Sequence, residues 1–467
     1  MQNGYSQFDE QEIARLARRV ESGGRIDPEL YAWYDVKRGL RDVSGKGVLA
    51  GLTRIGEVRG HILDENELIP TQGKLYYRGI DIEDLVNGFL AEDRPGYEET
   101  CYLLLMGELP ARHDLERFMR MLASCRALPE EFLSGIILKS SSPDVMNALA
   151  RSVLALYSYD ERADDISIPN VLRQCLKLIA CFPQLAVYAY QACVHCHRNQ
   201  SLIIHSPSPE LGTAENILHM LRADSQYTKL EARLLDLSLV LHAEHGGGNN
   251  SSFIIHVATS TGTDTYSSIV AAIGSLKGPR HGGANLKVLQ MMEDMKREVS
   301  DWTSEDAVRD YLFRLLDRQA FDRSGLIYGI GHAVYSLSDP RALLFKKYVE
   351  ALAREKGLEE EYRLYELVER LAPETIARKR RMYKGVSANV DFYSGFVYRM
   401  LDIPPELFTP LFAISRIAGW SAHRIEELLN AGKIIRPAYK SVTARRKYTP
   451  MAGRHGEPAG TKDHTAY

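Results

Sequence analysis

The sequence reads His242-Ala-Glu-His-Gly-Gly-Gly-Asn249 and, after an apolar run, Gly278-Pro-Arg-His-Gly-Gly-Ala-Asn285. Glycine has no Cβ, so the backbone that follows the first histidine pair can approach a ligand closely. His281 stands between Gly-Pro and Gly-Gly, and such dipeptides mark turns, which indicates that its imidazole is presented on a loop. Because histidine gains or loses a proton near neutral pH, two such motifs in one short segment predict a reaction centre.

The overall composition is that of an ordinary globular protein. The chain has 467 residues, enough for two or three average domains, and its 58 basic and 61 acidic side chains give a net charge of −3. This balance provides no general attraction to nucleic acid or to an anionic membrane. The N-terminal residues show no export signal, and no run of about eighteen apolar residues occurs. We therefore expect a cytoplasmic enzyme that binds neither nucleic acid nor membrane.

The six cysteines lie mostly in apolar helical patterns, which predicts reduced and buried thiols. The segment Cys193-Val-His-Cys-His197 has the C-x-x-C-H spacing of covalent haem attachment. That chemistry requires export, for which the sequence shows no signal. A zinc site would need two more ligands, and Cys175 and Cys181 are poorly spaced to supply them. We therefore expect this segment to serve helix packing alone.

Helical periodicity dominates the chain outside one β-prone region. An amphipathic helix near the N-terminus should end at Gly23-Gly24, and residues 45–79 predict a small antiparallel ribbon between glycines and turn residues. A helix should begin at Asp81, and the polar residues 453–467 should be disordered. The clearest helical stretches are Tyr97–Met106, Leu115–Leu122, Pro143–Tyr157, Val171–Tyr190, Leu230–His242, Ser304–Leu316, Pro340–Arg354 and Glu359–Leu371.

Five more residues of catalytic or binding type follow in the second half of the chain. Arginines bind carboxylates through charge-assisted hydrogen bonds, and histidines and carboxylates act as general acids and bases. Together such residues suit a dianionic substrate that is held by arginines while a carbon acid is deprotonated. The five are a histidine in a glycine loop, a carboxylate and three arginines, namely His332, Asp391, Arg341, Arg416 and Arg436.

Each of these residues also has a simpler interpretation when it is taken alone. An arginine more often forms a surface or structural ion pair, and the basic cluster at 378–384 would be a solvated face. Asp391 could be a helix cap, because an apolar helix follows it. His242, His245 and the later His256 could form a metal site. We expect no metal, because the pattern is not H-E-x-x-H and the glycines would break the required helix, and we interpret His242 as structural.

Six motifs, in their order and spacing, resemble those of the citrate synthase family, which includes 2-methylcitrate synthase. Each motif alone has little specificity, but the set covers almost the whole chain. The motifs are Leu75-Tyr-Tyr-Arg-Gly79, Gly278–Asn285, Gly331-His-Ala-Val334, Asp339-Pro-Arg341, Asn389-Val-Asp391 and Arg436-Pro437.

The resemblance implies a role for each candidate residue. His281 would polarise the thioester carbonyl of acetyl-CoA, Asp391 would remove a proton from its methyl group, and His332 would activate the oxaloacetate carbonyl. Neither a metal nor a permanently bound cofactor is implied. The residues that would bind oxaloacetate are His245, Arg341, Arg416 and Arg436, and those that would bind coenzyme A are Gly329, Ile330, Gly331 and Lys384.

The resemblance also implies a mainly α-helical fold of two unequal domains. The large domain would comprise residues 1–282 and 403–467, and the small domain residues 283–402. Each lobe would carry part of the site, so that closure would complete it and exclude water. The active form would be a homodimer in which Arg436 of the partner subunit reaches the site.

We therefore expect an acyltransferase that condenses acetyl-CoA with oxaloacetate and water to give citrate and coenzyme A, the first step of the tricarboxylic acid cycle. A 2-methylcitrate synthase is the near alternative, because one methylene in an apolar pocket changes binding by only ~1–3 kcal/mol. The alternative from another class is a catalytically silent paralogue that binds coenzyme A or a partner. The joint presence of His281, His332 and Asp391 argues against it.

The chain departs from the family pattern in two places. Glu244 and Gly246 stand where the family more often has an aspartate and an acidic residue. Because His245 and Asn249 are retained, this change concerns the surroundings of the site rather than the reaction. Residues 159–224 match the common pattern only loosely.

Overall fold

The computed structural model describes residues 10–42, 46–64, 67–380, 385–430 and 432–454. The described chain is mainly α-helical with one small antiparallel sheet, which confirms the predicted fold class. Two compact units are formed, one by residues 51–435 and one by residues 1–50 with 436–467. The division of residues 283–402 from the rest as a small domain stays a prediction.

The small sheet lies in the later part of the predicted ribbon region, whereas residues 48–55, also predicted to be β-prone, form no strand. Its strands pair antiparallel in chain order, with Val58 opposite Leu75 and Tyr76 opposite Asp81. Alternate residues of a strand share one face, so Leu75 and Tyr77 are both buried. The strands are β1 (Gly56–Asp64), β2 (Glu67–Tyr77) and β3 (Ile80–Asp81).

The helices begin where the sequence supplies capping side chains. Asp81 accepts the N–H of Glu83 at 2.9 Å, which confirms the predicted start, and Thr228 forms a capping box with Glu231. In chain order the described α-helices are α1 (Glu10–Gly24), α2 (Pro28–Trp33), α3 (Ile82–Ala91), α4 (Tyr97–Met106), α5 (Arg112–Cys125), α6 (Val145–Leu156), α7 (Ile168–Arg198), α8 (Thr213–Leu221), α9 (Lys229–His242), α10 (Asn250–Thr259), α11 (Thr265–Lys277), α12 (Ala284–Glu298), α13 (Glu305–Leu316), α14 (Pro340–Glu355), α15 (Glu359–Arg380), α16 (Val390–Met400) and α17 (Phe408–Asn430).

Helix α17 lies at the centre of residues 51–435, where it packs against α7, α9, α10 and α11. Trp420, Arg416 and Arg424 of this helix are among the largest fully buried side chains. Burial of one large apolar side chain contributes ~1.5–3 kcal/mol to stability, but a buried arginine needs partners. The two buried arginines therefore mark α17 as more than a packing element.

The cysteines are unpaired, and four of the six are buried. Cys193 is buried and Cys196 is exposed near the end of α7, so their segment is helical as expected, although Cys196 is not buried. Within the described residues, no helix is both long and apolar enough to cross a membrane. Of the tail predicted to be disordered, Gly453 ends a short 3₁₀ turn, and residues 455–467 lie outside the described chain.

Candidate active site

His245 lies in the loop that follows α9, and this loop is held from two sides. Gly246 has a φ of +80°, a conformation that glycine adopts without strain. The Glu244 N–H donates to Tyr77 Oη of the ribbon at 3.2 Å. On the opposite side, Gly419 of α17 lies so close that a Cβ there would stand 2.5 Å from Glu244 Oε2. The ribbon and α17 together therefore fix the backbone that presents His245.

Two imidazoles meet here, with the ring centroids of His245 and His332 5.1 Å apart. Burial and the charge of Arg341 lower the pKa of His245 well below its ordinary value. His332 Nδ1 accepts the backbone N–H groups of Val334 at 3.1 Å and Tyr335 at 3.2 Å. A ring nitrogen that accepts carries no proton, so the proton of His332 is on Nε2. His332 can therefore act as an Nε2–H donor.

Two buried arginines lower the pKa of His245, but they differ in their own hydrogen-bond partners. Arg341 forms two hydrogen bonds with Asp339, at 3.0 and 2.7 Å. Arg416 donates from Nε to the His242 carbonyl at 2.7 Å, and its Cζ lies 4.7 Å from the ring centroid of Phe412. Arg416 Nη1 and Nη2 are buried without a hydrogen-bond partner among the described residues. Because buried polar groups are nearly always satisfied, these two donors suit a bidentate carboxylate.

Arg424 lies on the same helix as Arg416, but all three nitrogens of its guanidinium have hydrogen-bond partners. Its guanidinium donates to three hydroxyls and one carbonyl, at 2.8 to 3.1 Å. Burial lowers the pKa of Arg416 to about 10, which still leaves the side chain charged near neutral pH. Arg416 is thus a buried charge whose Nη1 and Nη2 can bind an anion, whereas the hydrogen bonds of Arg424 make it a structural residue.

Asp391 lies in the first turn of α16 and does not cap it. The cap is Asn389, whose Oδ1 accepts the Asp391 N–H at 2.9 Å and whose Nδ2 donates to the Gly331 carbonyl at 2.8 Å. The interpretation of Asp391 as a helix cap is therefore wrong, and its carboxylate is not used by the helix. Burial raises the pKa of Asp391 to about 6, although the charge of Arg341 opposes this shift.

His281 lies on the predicted loop, between α11 and α12, with Nε2 3.2 Å from Ser251 Oγ. Ser251 Oγ accepts from Trp420 Nε1 at 3.1 Å and lies 3.0 Å from Asn249 Oδ1. Its single proton goes either to Asn249 or to His281, and this choice sets the tautomer of His281. Burial and the charge of Arg416 lower the pKa of His281 to about 4, so the ring is neutral at neutral pH.

The structure brings some of the predicted residues together but not all of them. The charges of Arg341 and Arg416 act on both His245 and Asp391, so these four residues share one buried environment. Both arginines are buried, so the interpretation as surface ion pairs is wrong, whereas Arg341 does form a structural ion pair, with Asp339. Arg436 belongs to the other unit, where its side chain is exposed.

The coenzyme A candidates are only partly described. Gly329 and Gly331 have φ of +79° and +104°, and Ile330 between them pairs with Ala388. Lys384 lies outside the described residues. The loop backbone is thus held in a conformation that requires its glycines.

Sequence reasoning missed several residues that position the site. Asp339 stands in a quoted motif, where its place before Pro-Arg signals a helix start, and Asn389 carries the same signal. Ser251 follows the glycine run within two residues of Asn249 and could have been suspected from that position. Trp420 has no local signal, because it reaches Ser251 across 169 residues of chain.

The chain is similar to known proteins over most of its length. Residues 42–438 match the family model described as citrate synthase, C-terminal domain. The citrate synthase of Synechocystis sp. is 35% identical over 423 residues, which are 90% of this chain and 96% of that protein. The 2-methylcitrate synthase of Shewanella oneidensis is 33% identical over 387 residues, 81% of this chain and 92% of that protein.

A solved structure is similar over the same extent. It is the ternary complex of carboxymethyl coenzyme A and oxaloacetate with citrate synthase from Thermoplasma acidophilum, with a TM-score of 0.72 and 26% identity. The similarity covers 90% of this chain and 99% of that one. Since the family model and full-length relatives match most of its residues, the chain belongs to the citrate synthase family.

Proposed function

We propose that the chain condenses acetyl-CoA with oxaloacetate and water to give citrate and coenzyme A, in the cytoplasm and as the first step of the tricarboxylic acid cycle. The observation that carries this proposal is the buried Arg416 guanidinium, two nitrogens of which have no hydrogen-bond partner within the described part of the chain. Oxaloacetate supplies two carboxylates, one for Arg416 and one for the Arg341 side of the site. Charge-assisted hydrogen bonds of this kind contribute ~1.5–3 kcal/mol each.

Deprotonation of the thioester methyl group is assigned to Asp391. Its pKa of about 6 lies close to neutral pH, where a general base is both ionised and effective. The methyl group is a very weak acid, so the developing enolate oxygen needs a positioned donor. Neutral His281 supplies it when the Ser251 hydroxyl donates to Nε2, because the proton of His281 is then on Nδ1.

Carbon–carbon bond formation is assigned to His332, which lies with Asp391 in the predicted small domain. The enol carbon attacks the keto carbon of oxaloacetate, and the resulting alkoxide takes up the proton that His332 carries on Nε2. Two backbone N–H groups hold this tautomer, so the donor is in place before the substrate binds. Water then hydrolyses the thioester and releases coenzyme A. The loop Gly329–Gly331 and Lys384 are proposed to bind coenzyme A.

A homodimer with Arg436 acting in trans is the second part of the proposal. The unit that contains Arg436 exposes large apolar side chains, including Trp33 at 78% and Tyr439 at 95%. Such exposure is typical of surfaces that bind another chain. Mixing Arg436→Ala subunits with Asp391→Ala subunits should restore activity in heterodimers. No recovery despite demonstrated subunit exchange would contradict the trans assignment.

Thiol release from acetyl-CoA and propionyl-CoA, each with and without oxaloacetate, tests the reaction. We expect release that depends on oxaloacetate and is faster with acetyl-CoA. A preference for propionyl-CoA would instead support 2-methylcitrate synthesis. This alternative is worth testing because the similar protein from Shewanella oneidensis is a 2-methylcitrate synthase. No release with either thioester from folded protein would support the silent paralogue.

A further inference from the structure

A second histidine pair lies outside the residues assigned to the reaction. His256 of α10 and His423 of α17 face each other, with His256 Nε2 3.1 Å from His423 Nδ1. The sequence places His256 downstream of His242 and His245, but the structure pairs it with a histidine 167 residues further along the chain. A metal site is not expected at His242 and His245, but this second pair offers a different set of possible ligands.

The outer nitrogen of each ring contacts a carboxylate. His256 Nδ1 lies 2.8 Å from Glu427 Oε2, and His423 Nε2 lies 3.0 Å from Glu244 Oε1. Ionised carboxylates only accept, so both rings place a proton on these outer nitrogens. If each ring is neutral, the two inner nitrogens then point lone pairs at each other. A cation between them removes this repulsion, and a histidine that donates its other N–H to a carboxylate is the usual arrangement of a metal ligand.

A third ligand atom is available beside the pair. Glu426 is 9% exposed, its Oε1 accepts the Arg54 N–H at 2.7 Å, and its Oε2 is buried with no hydrogen-bond partner in the described chain. Glu426 Oε2 lies 3.9 Å from His423 Nδ1, and the three ligand atoms all lie within 4.8 Å of one another. Ligands of a tetrahedral zinc ion stand ~3.3 Å apart, so only a small side-chain adjustment is needed.

The surroundings leave room for an ion and a route to it. A Cβ on Gly247 would stand 3.4 Å from His256 Nε2, so the missing side chain keeps the face of the pair open. The side chains of His256 and Glu427 are 13% and 19% exposed, which connects the site to solvent. Three carboxylates around the two imidazoles favour a cation electrostatically.

We propose that His256 Nε2, His423 Nδ1 and Glu426 Oε2 bind one transition-metal dication of the zinc class, with water as the fourth ligand. Two imidazoles and a carboxylate suit Zn²⁺ or Co²⁺, whereas Mg²⁺ and Ca²⁺ prefer oxygen ligands alone. The ion joins α10 to α17 and holds His423 against Glu244. It is a structural ion and takes no part in the condensation.

Titration of the full-length, chelator-treated protein tests this site. Zn²⁺ is followed by isothermal titration calorimetry and Co²⁺ by its visible absorption, and we expect one ion per chain with a tetrahedral cobalt spectrum. His256→Gln and Glu426→Gln should abolish this binding. Glu427→Gln keeps all three ligands and replaces the charged acceptor of His256 Nδ1–H by a neutral one, so it should weaken affinity by up to ~10–100-fold.

The matched control is His197→Gln, since His197 is an exposed histidine beside Cys196 and a rival zinc ligand. This variant should bind the ion as the parent does. Circular dichroism and Tm confirm that each variant is folded, and the two ligand variants serve as independent tests if one fails to fold. The proposal is overturned if the parent shows no saturable binding, in which case the inner nitrogens share a proton. It is equally overturned if folded His256→Gln or Glu426→Gln binds as tightly as the parent.

Discussion

Two histidine pairs adjoin Glu244, because His245 follows it in the chain and His423 contacts its carboxylate. The two pairs differ in what their ring nitrogens contact. In the pair His245 and His332, Nδ1 of His332 accepts from backbone N–H groups, and arginines supply the nearby charge. In the pair His256 and His423, each outer nitrogen contacts a carboxylate. The first arrangement offers a hydrogen-bond donor in a positive environment, and the second offers lone pairs in a negative one. The charge of the neighbours, rather than the imidazole, thus decides between an anionic substrate and a cation.

The largest effect on turnover should come from replacing Asp391, the carboxylate assigned to the same site as the first pair. Asp391→Asn should lower kcat at least about 10²-fold, the low end for a positioned base, with little change in Tm because Asn389 keeps the cap. Turnover and exchange of acetyl methyl protons with deuterated solvent, with an unreactive oxaloacetate analogue bound, measure this step. Glu427→Gln, a carboxylate of the second pair, is the matched control and should keep kcat. Proton exchange at the parental rate in the Asn variant would show that Asp391 is not the base.

The arginines of α17 should show the next largest effect. Arg416→Gln removes the two donors assigned to a substrate carboxylate, worth ~1.5–3 kcal/mol each, so KM for oxaloacetate should rise at least ~10–150-fold. Arg424→Gln is the control on the same helix, because its hydrogen bonds are all internal. It should lower Tm and leave KM nearly unchanged. Equal increases in KM for the two variants would contradict the assignment of Arg416 to a carboxylate of oxaloacetate.

The pH dependence of turnover should follow Asp391. A base with a pKa of about 6 loses its ionised form as pH falls, so kcat should drop about tenfold between about pH 7 and about pH 5. His281, with a pKa of about 4, stays neutral over this interval and does not contribute. The raised pKa also means that ionisation of Asp391 destabilises the fold, a cost that grows as pH rises from 3.8 to about 6 and is lost on acidification. A flat kcat profile over the same interval would contradict the assignment.

The smallest effect on turnover should come from the second pair. His256→Gln, or chelation of the parent protein, should leave kcat within about twofold, because none of the reacting groups lies in this pair. Chelation should lower the Tm of the parent through loss of a bound ligand, and should not change the Tm of His256→Gln. Loss of turnover on chelation, restored by one specific metal, would show that the second pair contributes to catalysis. The two pairs would then not divide into one for the substrate and one for a structural ion.

Local patterns were sufficient wherever a few neighbouring residues determine the backbone. Glycine and proline placed His281 on a loop, and the ribbon and the helix start at Asp81 followed from turn and cap signals. The roles of these residues came from the family resemblance. Helix α7 extends beyond the predicted Val171–Tyr190 because Asn199, in a left-handed conformation, ends it eight residues after the last periodic position.

Contacts between distant residues were beyond local patterns. Periodicity shows that a face of α10 and of α17 is buried, but not that His256 covers His423. Asn389 and Asp391 are equally good caps, and only the tie from Asn389 to Gly331 distinguishes them. The roles of Lys384 and Arg436 stay predictions.

Gly419 limits how this chain can vary over evolutionary time. A side chain there would meet the Ala243 carbonyl oxygen at 2.4 Å as well as Glu244 Oε2 at 2.5 Å. Because one of these contacts is with backbone, shortening Glu244 to aspartate would not relieve it. Substitution of Gly419 by any residue that has a Cβ should therefore be selected against, although Gly419 is assigned no contact with a substrate. Selection there would act through crowding of the loop that carries His245.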